Sequence, residues 1–329
     1  MPMNRTIIST TNLTKYFPVQ RGFLERVISR KLEYIRAVDG VDLEIREEET
    51  LALVGETGCG KTTTGRLLVR LLEPTGGDIL FRGKRITHVK GEELRKLRRH
   101  LQIIFQDPYA SLNPRMKIGD AIGHPLEIHD IAKGKEKRQM VLEMLEKVGL
   151  TPAERYYELY PHQLSGGERQ RVAISRAMIL KPDFIVADEP ISMIDVSLRA
   201  KILELMADLK KEFHVTYLFI THDLATAKYV SDRIAVMYLG KIVELATTDE
   251  LFSNPLHPYV KALISAIPRP GPKVKRERLL LKGEIPSPIN PPSGCRLHPR
   301  CPFKMQICSK EEPKLLEKER GHYVACHLY

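Results

Sequence analysis

The chain has 329 residues, 43% hydrophobic and 28% charged, with a net charge of +11. That apolar content supports a packed core and excludes a disordered chain, and the length implies one large domain with an appendage. No apolar run reaches the ~20 residues of a membrane-spanning helix, and the opening MPMNRTIIST lacks the apolar core of a secretory signal. The expectation is a cytoplasmic chain that reaches a membrane only by binding other membrane proteins. Lys and Arg are scattered rather than gathered in one stripe. This reads as a solvated basic exterior, with no nucleic-acid partner expected.

In chain order, Val41, Leu43 and Ile45 alternate with charged residues and predict a strand, and TLALVG follows as a buried strand. A Gly-rich loop comes next, and TTTGRLLVRLL continues as a helix. GGDILFRG reads as turn and strand, GEELRKLRRH (91–100) as a short exposed helix, and LQIIFQDP as a strand ending in a turn. Val141, Met144, Leu145 and Val148 lie at helical spacing. LSGGERQRVAISRAMIL is a turn running into a helix, and DFIVADEP a buried strand ending in two carboxylates. VSLRAKILELMADLKKEF is a helix, VTYLFITHD a strand, and RIAVMYLGKIVEL two short strands around Gly240. Alternating strands and helices indicate an α/β class. Beyond about residue 266, Pro268, Pro270, Pro272, Pro286, Pro288, Pro291 and Pro292 mark a linker into a small tail.

Gly55-Glu56-Thr57-Gly58-Cys59-Gly60-Lys61-Thr62 fits G-x-x-x-x-G-K-[ST] between a predicted strand and helix, the setting a phosphate loop requires. Glycines let successive N–H groups turn inward, and the positive end of the following helix suits a polyphosphate. Lys61 would reach the β and γ phosphates of ATP. The Thr62 hydroxyl would ligand Mg²⁺, with Thr63 completing the loop. Cys59 reads as a small filler whose N–H binds. Asp188 and Glu189 end an apolar strand; placing two carboxylates there is costly unless a cation waits. Asp188 would support Mg²⁺, and Glu189 would polarise the attacking water. His222 and Gln106 each follow another apolar strand; on the residues alone they are ordinary turn positions.

The segment LSGGERQ at 164–170 resembles the signature of the ABC transporter ATPases, and the motif order matches that family over roughly residues 5 to 265. The resemblance implies a P-loop ABC-type nucleotide-binding domain over 1–265, with a helical subdomain at about 107–180. It implies that Ser165, Gly166, Gly167 and Glu168 open a helix facing the ATP of a partner subunit. Phe17 falls where an aromatic stacks on adenine, with Tyr16 as the register alternative. Gln106 matches the Gln that touches the metal site, His222 the switch histidine, and Asp195 the residue that crosses between subunits. The segment Pro190-Ile191-Ser192-Met193-Ile194-Asp195 departs from the usual Pro-Thr-Ser-Ala-Leu-Asp by bulkier apolar residues.

Four of the five cysteines, Cys295, Cys301, Cys308 and Cys326, crowd the last 35 residues, and a cytosolic address favours a metal site over disulfides. GCRLHPRCPFKMQIC, NPLHPYVKALISAIP (254–268) and the insertion FPVQRGFLERVISRKLEYIRAVDGV resemble the oligopeptide/dipeptide importer ATPases. That resemblance implies an extension over 266–329 holding a [4Fe–4S] cluster, with zinc the next reading and four free thiols the third. So few apolar residues in the tail imply that a cross-link helps it fold. The implied partners are a second ABC ATPase subunit, two transmembrane permeases and an extracytoplasmic solute-binding protein. The alternative within the same architecture is an importer ATPase for sugar or nickel, and a soluble ABC ATPase acting on DNA or ribosomes is the competing class. Only 103 residues without a heptad run separate Lys61 from Ser165, too few for its coiled-coil insertions.

Overall fold

The computed structural model describes residues 5–19, 33–267 and 279–329. Most of the 17–41 insertion and the prolines at 268, 270 and 272 lie outside the described residues. Two sheets organise the described chain. The first is antiparallel, in the order β2 (Tyr34–Arg46), β1 (Thr6–Pro18), β4 (Gly76–Phe81), β5 (Lys84–Arg85). The second runs β11 (Leu316–Glu319), β12 (His322–Val324), β10 (Lys241–Thr247), β9 (Arg233–Tyr238), β3 (Thr50–Val54), β8 (Thr216–Thr221), β7 (Phe184–Asp188), β6 (Leu101–Ile104).

From β9 to β6 the second sheet is parallel. Every residue of β3, β7, β8 and β9 is buried, which explains their near-continuous apolar runs. A strand covered on both faces gains nothing from alternation, and each large aliphatic side chain it hides contributes about 1.5–3 kcal/mol. Helix α1 (Lys61–Leu68) lies on this sheet. A Cβ on its Gly65 would come within 2.8 Å of both Val186 and Ile220, so the missing side chain permits the close approach. The helix ends at Leu68, short of the apolar run predicted from the sequence, and Arg70 turns the chain with φ +56°.

In the antiparallel sheet, the second half of β2 alternates buried Val41, Leu43 and Ile45 with exposed Asp42 and Glu44, as a strand with one wet face does. The edge of this sheet leads to α2 (Gly91–His100), which buries none of its own residues. Between β6 and β7 the described chain is helical: α3 (Pro108–Ser111), α4 (Ile118–Ile128), α5 (Gly134–Lys147), α6 (Ala153–Glu158) and α7 (Gly166–Met178). Ile118, Ile122, Val141, Leu145, Val172 and Ile174 form one apolar cluster there, continuous with Ile185 and Phe219 of the sheet. The helix predicted over residues 196–213 is α8 (Val196–Phe213). Two short helices, α9 (Leu224–Val230) and α10 (Thr248–Ser253), and then α11 (Pro258–Ser265) complete the core.

After residue 279 the chain is mostly irregular but does not stand apart. Strand β12 pairs with β10 through Glu244↔Val324 and Leu245↔Tyr323, extending the central sheet. A buried polar contact fixes this seam. Glu244, fully buried, accepts from His322 Nε2 at 2.9 Å and from the amides of Leu256 and His257 at 2.9 and 2.6 Å. These bonds satisfy the carboxyl, and burial still holds its pKa above the ordinary glutamate value.

Candidate functional site

The loop of residues 55–60 joins β3 to α1 and is wedged against backbone on both sides. A Cβ on Gly55 would lie 2.2 Å from the Met237 carbonyl oxygen. Gly60 has φ +111°, and a Cβ there would lie 2.0 Å from the Ala37 carbonyl oxygen. Only glycine meets both the conformation and the space. Cys59 is buried, and burial pushes its thiol pKa up, which suits a filler rather than a reactive thiol. Thr63 follows in the first turn of α1. Lys61, 5% exposed, donates from Nζ to the carbonyls of Gly55 at 2.7 Å and Glu56 at 3.0 Å. The ammonium is thus held inside the loop it belongs to.

Three strand ends converge on this loop. Thr62 Oγ1 donates to Asp188 Oδ1 at 2.8 Å, joining the helix start to the end of β7. Burial raises the Asp188 pKa despite that bond. Glu189, the next residue, takes φ +46°, an uncommon conformation for a non-glycine residue. Its side chain lies between two partners. Gln106 Nε2 donates to Oε2 at 3.0 Å, and His222 Nδ1 lies 3.1 Å from Oε1. Gln106 follows β6, and His222 follows β8. In the sheet order β8-β7-β6, the three residues come from the ends of neighbouring parallel strands. Ligand sites of open α/β sheets form at this carboxyl edge.

On β1, Tyr16 and Phe17 differ in their engagements. The Tyr16 hydroxyl donates to Asp39 and its ring lies under Arg36. Burial, then Asp39, pushes its pKa up to about 12. Phe17 is half-buried, touched by the Lys15 ammonium at 5.2 Å from the ring centre. Its ring carries no polar group tied elsewhere, unlike that of Tyr16.

The LSGGERQ segment forms a reciprocal cap on α7. The Glu168 amide donates to Ser165 Oγ at 3.3 Å, and Ser165 returns its own amide to Glu168 Oε2 at 2.7 Å. The Ser165 hydroxyl also donates to Glu168 Oε2 at 2.7 Å and Tyr156 to Oε1 at 2.7 Å, and these bonds, the Ser165 hydroxyl first, hold the glutamate pKa down. Gly166 is open on its outer side, where the nearest atom to a Cβ would be the Met193 carbonyl at 3.7 Å. Of the atypical residues before Asp195, Ile191 and Ile194 are buried, whereas Met193 is 61% exposed. Asp195 is exposed at the start of α8 and its side chain does not cap that helix.

The four C-terminal cysteines are all free thiols and close enough to influence one another. Burial, reinforced by the neighbouring sulfurs, pushes Cys295 up to about 11 and raises Cys301 and Cys326. The Met305 amide donates to Cys308 Sγ at 3.4 Å. Among the described residues, no three of these sulfurs lie within 4.8 Å of one another.

Two contacts to the phosphate loop had no counterpart in the sequence reading. The Glu56 amide donates to the Tyr259 hydroxyl at 3.0 Å, from the first turn of α11. Arg300, beside Cys301, donates to the Glu56 carboxylate at 3.1 Å. A tyrosine and an arginine at separations of 203 and 244 residues leave no local pattern to read.

Residues 38–192 match the family model described as ABC transporter, and residues 243–308 match that of the oligopeptide/dipeptide transporter C-terminal region. An oligopeptide transport ATP-binding protein, AppF of Bacillus subtilis, is 48% identical over 98% of both chains. A dipeptide transport ATP-binding protein, DppF of Haemophilus influenzae, is 46% identical over 98% of this chain and 97% of its own. Among solved structures, the ATP-binding cassette MJ0796, dimeric in a post-hydrolysis state with ADP and Pi, superposes with a TM-score of 0.63 at 30% identity. That match covers 74% of this chain and 99% of the cassette. Sheet-edge carboxylates, glycine-constrained loop and capped signature helix agree with these matches, and the chain belongs to the ABC transporter ATPases, in the group carrying the oligopeptide/dipeptide transporter C-terminal region.

Proposed function

We propose that this chain powers peptide uptake. It would work as one of two cassettes on the cytoplasmic face of the membrane, beneath a pair of permeases supplied by an extracytoplasmic peptide-binding protein. The relatives named for oligopeptide and dipeptide transport support the solute class, and the dimeric cassette supports the pairing. Among the described residues no helix is long and apolar enough to cross a membrane, so coupling would pass through contacts with the permeases.

In this reading the loop amides of Gly55, Glu56, Thr57, Gly58, Cys59, Gly60, Lys61, Thr62 and Thr63 cradle the phosphates, while Lys61 turns its ammonium to the β and γ oxygens. Phe17 stacks on adenine. Thr62, Asp188 and Gln106 would hold Mg²⁺, whose chemistry is to neutralise developing phosphate charge. Glu189 polarises the attacking water. Its pairing with Gln106 and His222, at 3.0 and 3.1 Å, is the observation that carries the assignment. With His222 donating from Nδ1, its Nε2 remains as an acceptor that can orient the attacking water. Ser165, Gly166, Gly167 and Glu168 present a second helix N-terminus to the partner's ATP, and Asp195 crosses the interface. ATP thereby closes the dimer, and loss of phosphate reopens it.

The cysteine group fits a thiolate-bound metal centre: four free thiols, with the Met305 amide donating to Cys308, in a segment with little core of its own. Resemblance to the oligopeptide/dipeptide importer ATPases is what supports a [4Fe–4S] cluster on Cys295, Cys301, Cys308 and Cys326, in a structural role, with zinc as the next reading.

Glu189→Gln is the test. It should preserve Mg·ATP binding, lower turnover by about 10²–10⁴-fold and trap a dimer. Turnover at the wild-type rate would remove Glu189 from the mechanism.

A further inference from the structure

Arg300 belongs to the cysteine-bearing extension, yet its guanidinium ends at the phosphate loop. Nη1 donates to Glu56 at 3.1 Å (Oε2) and 3.4 Å (Oε1), and to the Tyr238 hydroxyl at 3.3 Å. Only 11% of the Arg300 side chain and 25% of the Glu56 side chain are exposed, so water screens this pair far less than a surface ion pair. Glu56 is also held through its peptide. Its amide donates to Tyr259, and its carbonyl accepts from Lys61 Nζ at 3.0 Å and from the Cys59 amide at 3.2 Å. The residue that Arg300 grips is therefore one that fixes the lysine of the loop. A second arginine repeats the arrangement at the other end of the site. Arg296, next to Cys295, pairs with Asp39, the acceptor of the Tyr16 hydroxyl, one residue from Phe17.

We propose that Arg300 is a positioning residue for ATP: through Glu56 it braces the phosphate loop, so that the fold of the cysteine-bearing extension sets the affinity of the nucleotide site. This rests on the reading of residues 55–62 as that site. Arg300 acts through another residue and touches no reacting atom, so its loss should change binding rather than chemistry.

The test uses the full-length chain. Mg·ATP affinity and steady-state ATPase constants are measured for Arg300→Ala, Arg300→Lys, Glu56→Ala and the Arg300→Ala/Glu56→Ala double variant, with hydrogen exchange over the loop. Arg300→Ala should weaken ATP binding and raise KM by about tenfold, with kcat within about twofold of wild type. Arg300→Lys, which keeps the charge, should recover most of that loss. The double variant should bind no worse than the poorer single one, because both changes remove one contact. Amides of residues 56–60 should exchange faster in Arg300→Ala while the central strands keep their protection. Wild-type affinity in Arg300→Ala, additive single effects, or a loss confined to kcat would each overturn the proposal. If Arg300→Ala does not fold, Glu56→Ala decides from the core side: tight ATP binding there overturns the brace equally. Wild-type protein that fails to bind Mg·ATP is a different result, which removes the nucleotide site itself.

Discussion

His257 is the residue through which acid should first loosen this protein. It is 1% exposed, and its Nδ1 accepts the Tyr259 amide at 3.2 Å, capping α11 in place of the usual Ser or Asp. An acceptor nitrogen cannot carry a proton, and burial, aided by Lys261, drives the pKa down to about 3. In the unfolded chain the ordinary histidine value is about 6.5. Between these two values the unfolded state binds the extra proton, so stability is complete above pH 6.5 and is lost as pH falls. At pH 5 the loss from this one group is about 2 kcal/mol relative to pH 7.5. Asparagine caps helices well and does not titrate. Urea unfolding of wild type and His257→Asn at pH 7.5 and 5.0 should therefore show the variant losing about 2 kcal/mol less over that interval. The same helix supplies Tyr259 to the Glu56 amide, so nucleotide affinity should follow the same difference. Identical pH dependence in both proteins would refute the neutral, capping role of His257.

Two further outcomes test the site and the extension. Gly60→Ala should cost about 1–3 kcal/mol from its conformation alone, plus the clash with the Ala37 carbonyl, seen as a lower melting temperature together with lost ATP binding. Protein purified without oxygen should be brown with broad visible absorption and iron bound to the chain. Cys308→Ser should lower both colour and iron, while colourless wild-type protein with one zinc per chain would reverse the assignment.

What the sequence made legible is what lies in consecutive residues. The glycines, lysine and threonine of 55–62 carry both their chemistry and the backbone conformation it needs. The same holds for the strand end at Asp188-Glu189 and for the Ser165–Glu168 cap. Strands buried on both faces announced themselves as unbroken apolar runs. Strand β1 did not. A bulge with Asn12 at φ +48° interrupts its register between Thr10 and Leu13, so Ile8 and Leu13 cannot mark one face by simple alternation. Gln106 and His222 were identifiable by resemblance alone, because their shared partner Glu189 is a property of strand order and of no local spacing.

The extension was the least legible part, and its strands account for this. Every residue of β11 is exposed and β12 has three residues, so neither carries a hydrophobic period. Their place is set instead by the open edge of β10 and by one buried carboxylate, Glu244, waiting for His322. A segment so poor in apolar residues gains its stability by leaning on the core, and a contact that stabilises one side constrains the other equally. Arg300 on Glu56, Arg296 on Asp39 and the Pro288 carbonyl on the Arg36 amide all fall around the Gly-rich loop and the β1–β2 pair beside it. On the proposed reading of residues 55–62, the tail would form one wall of the nucleotide site, built late in the chain and tied to the core through Glu56, Asp39 and Glu244.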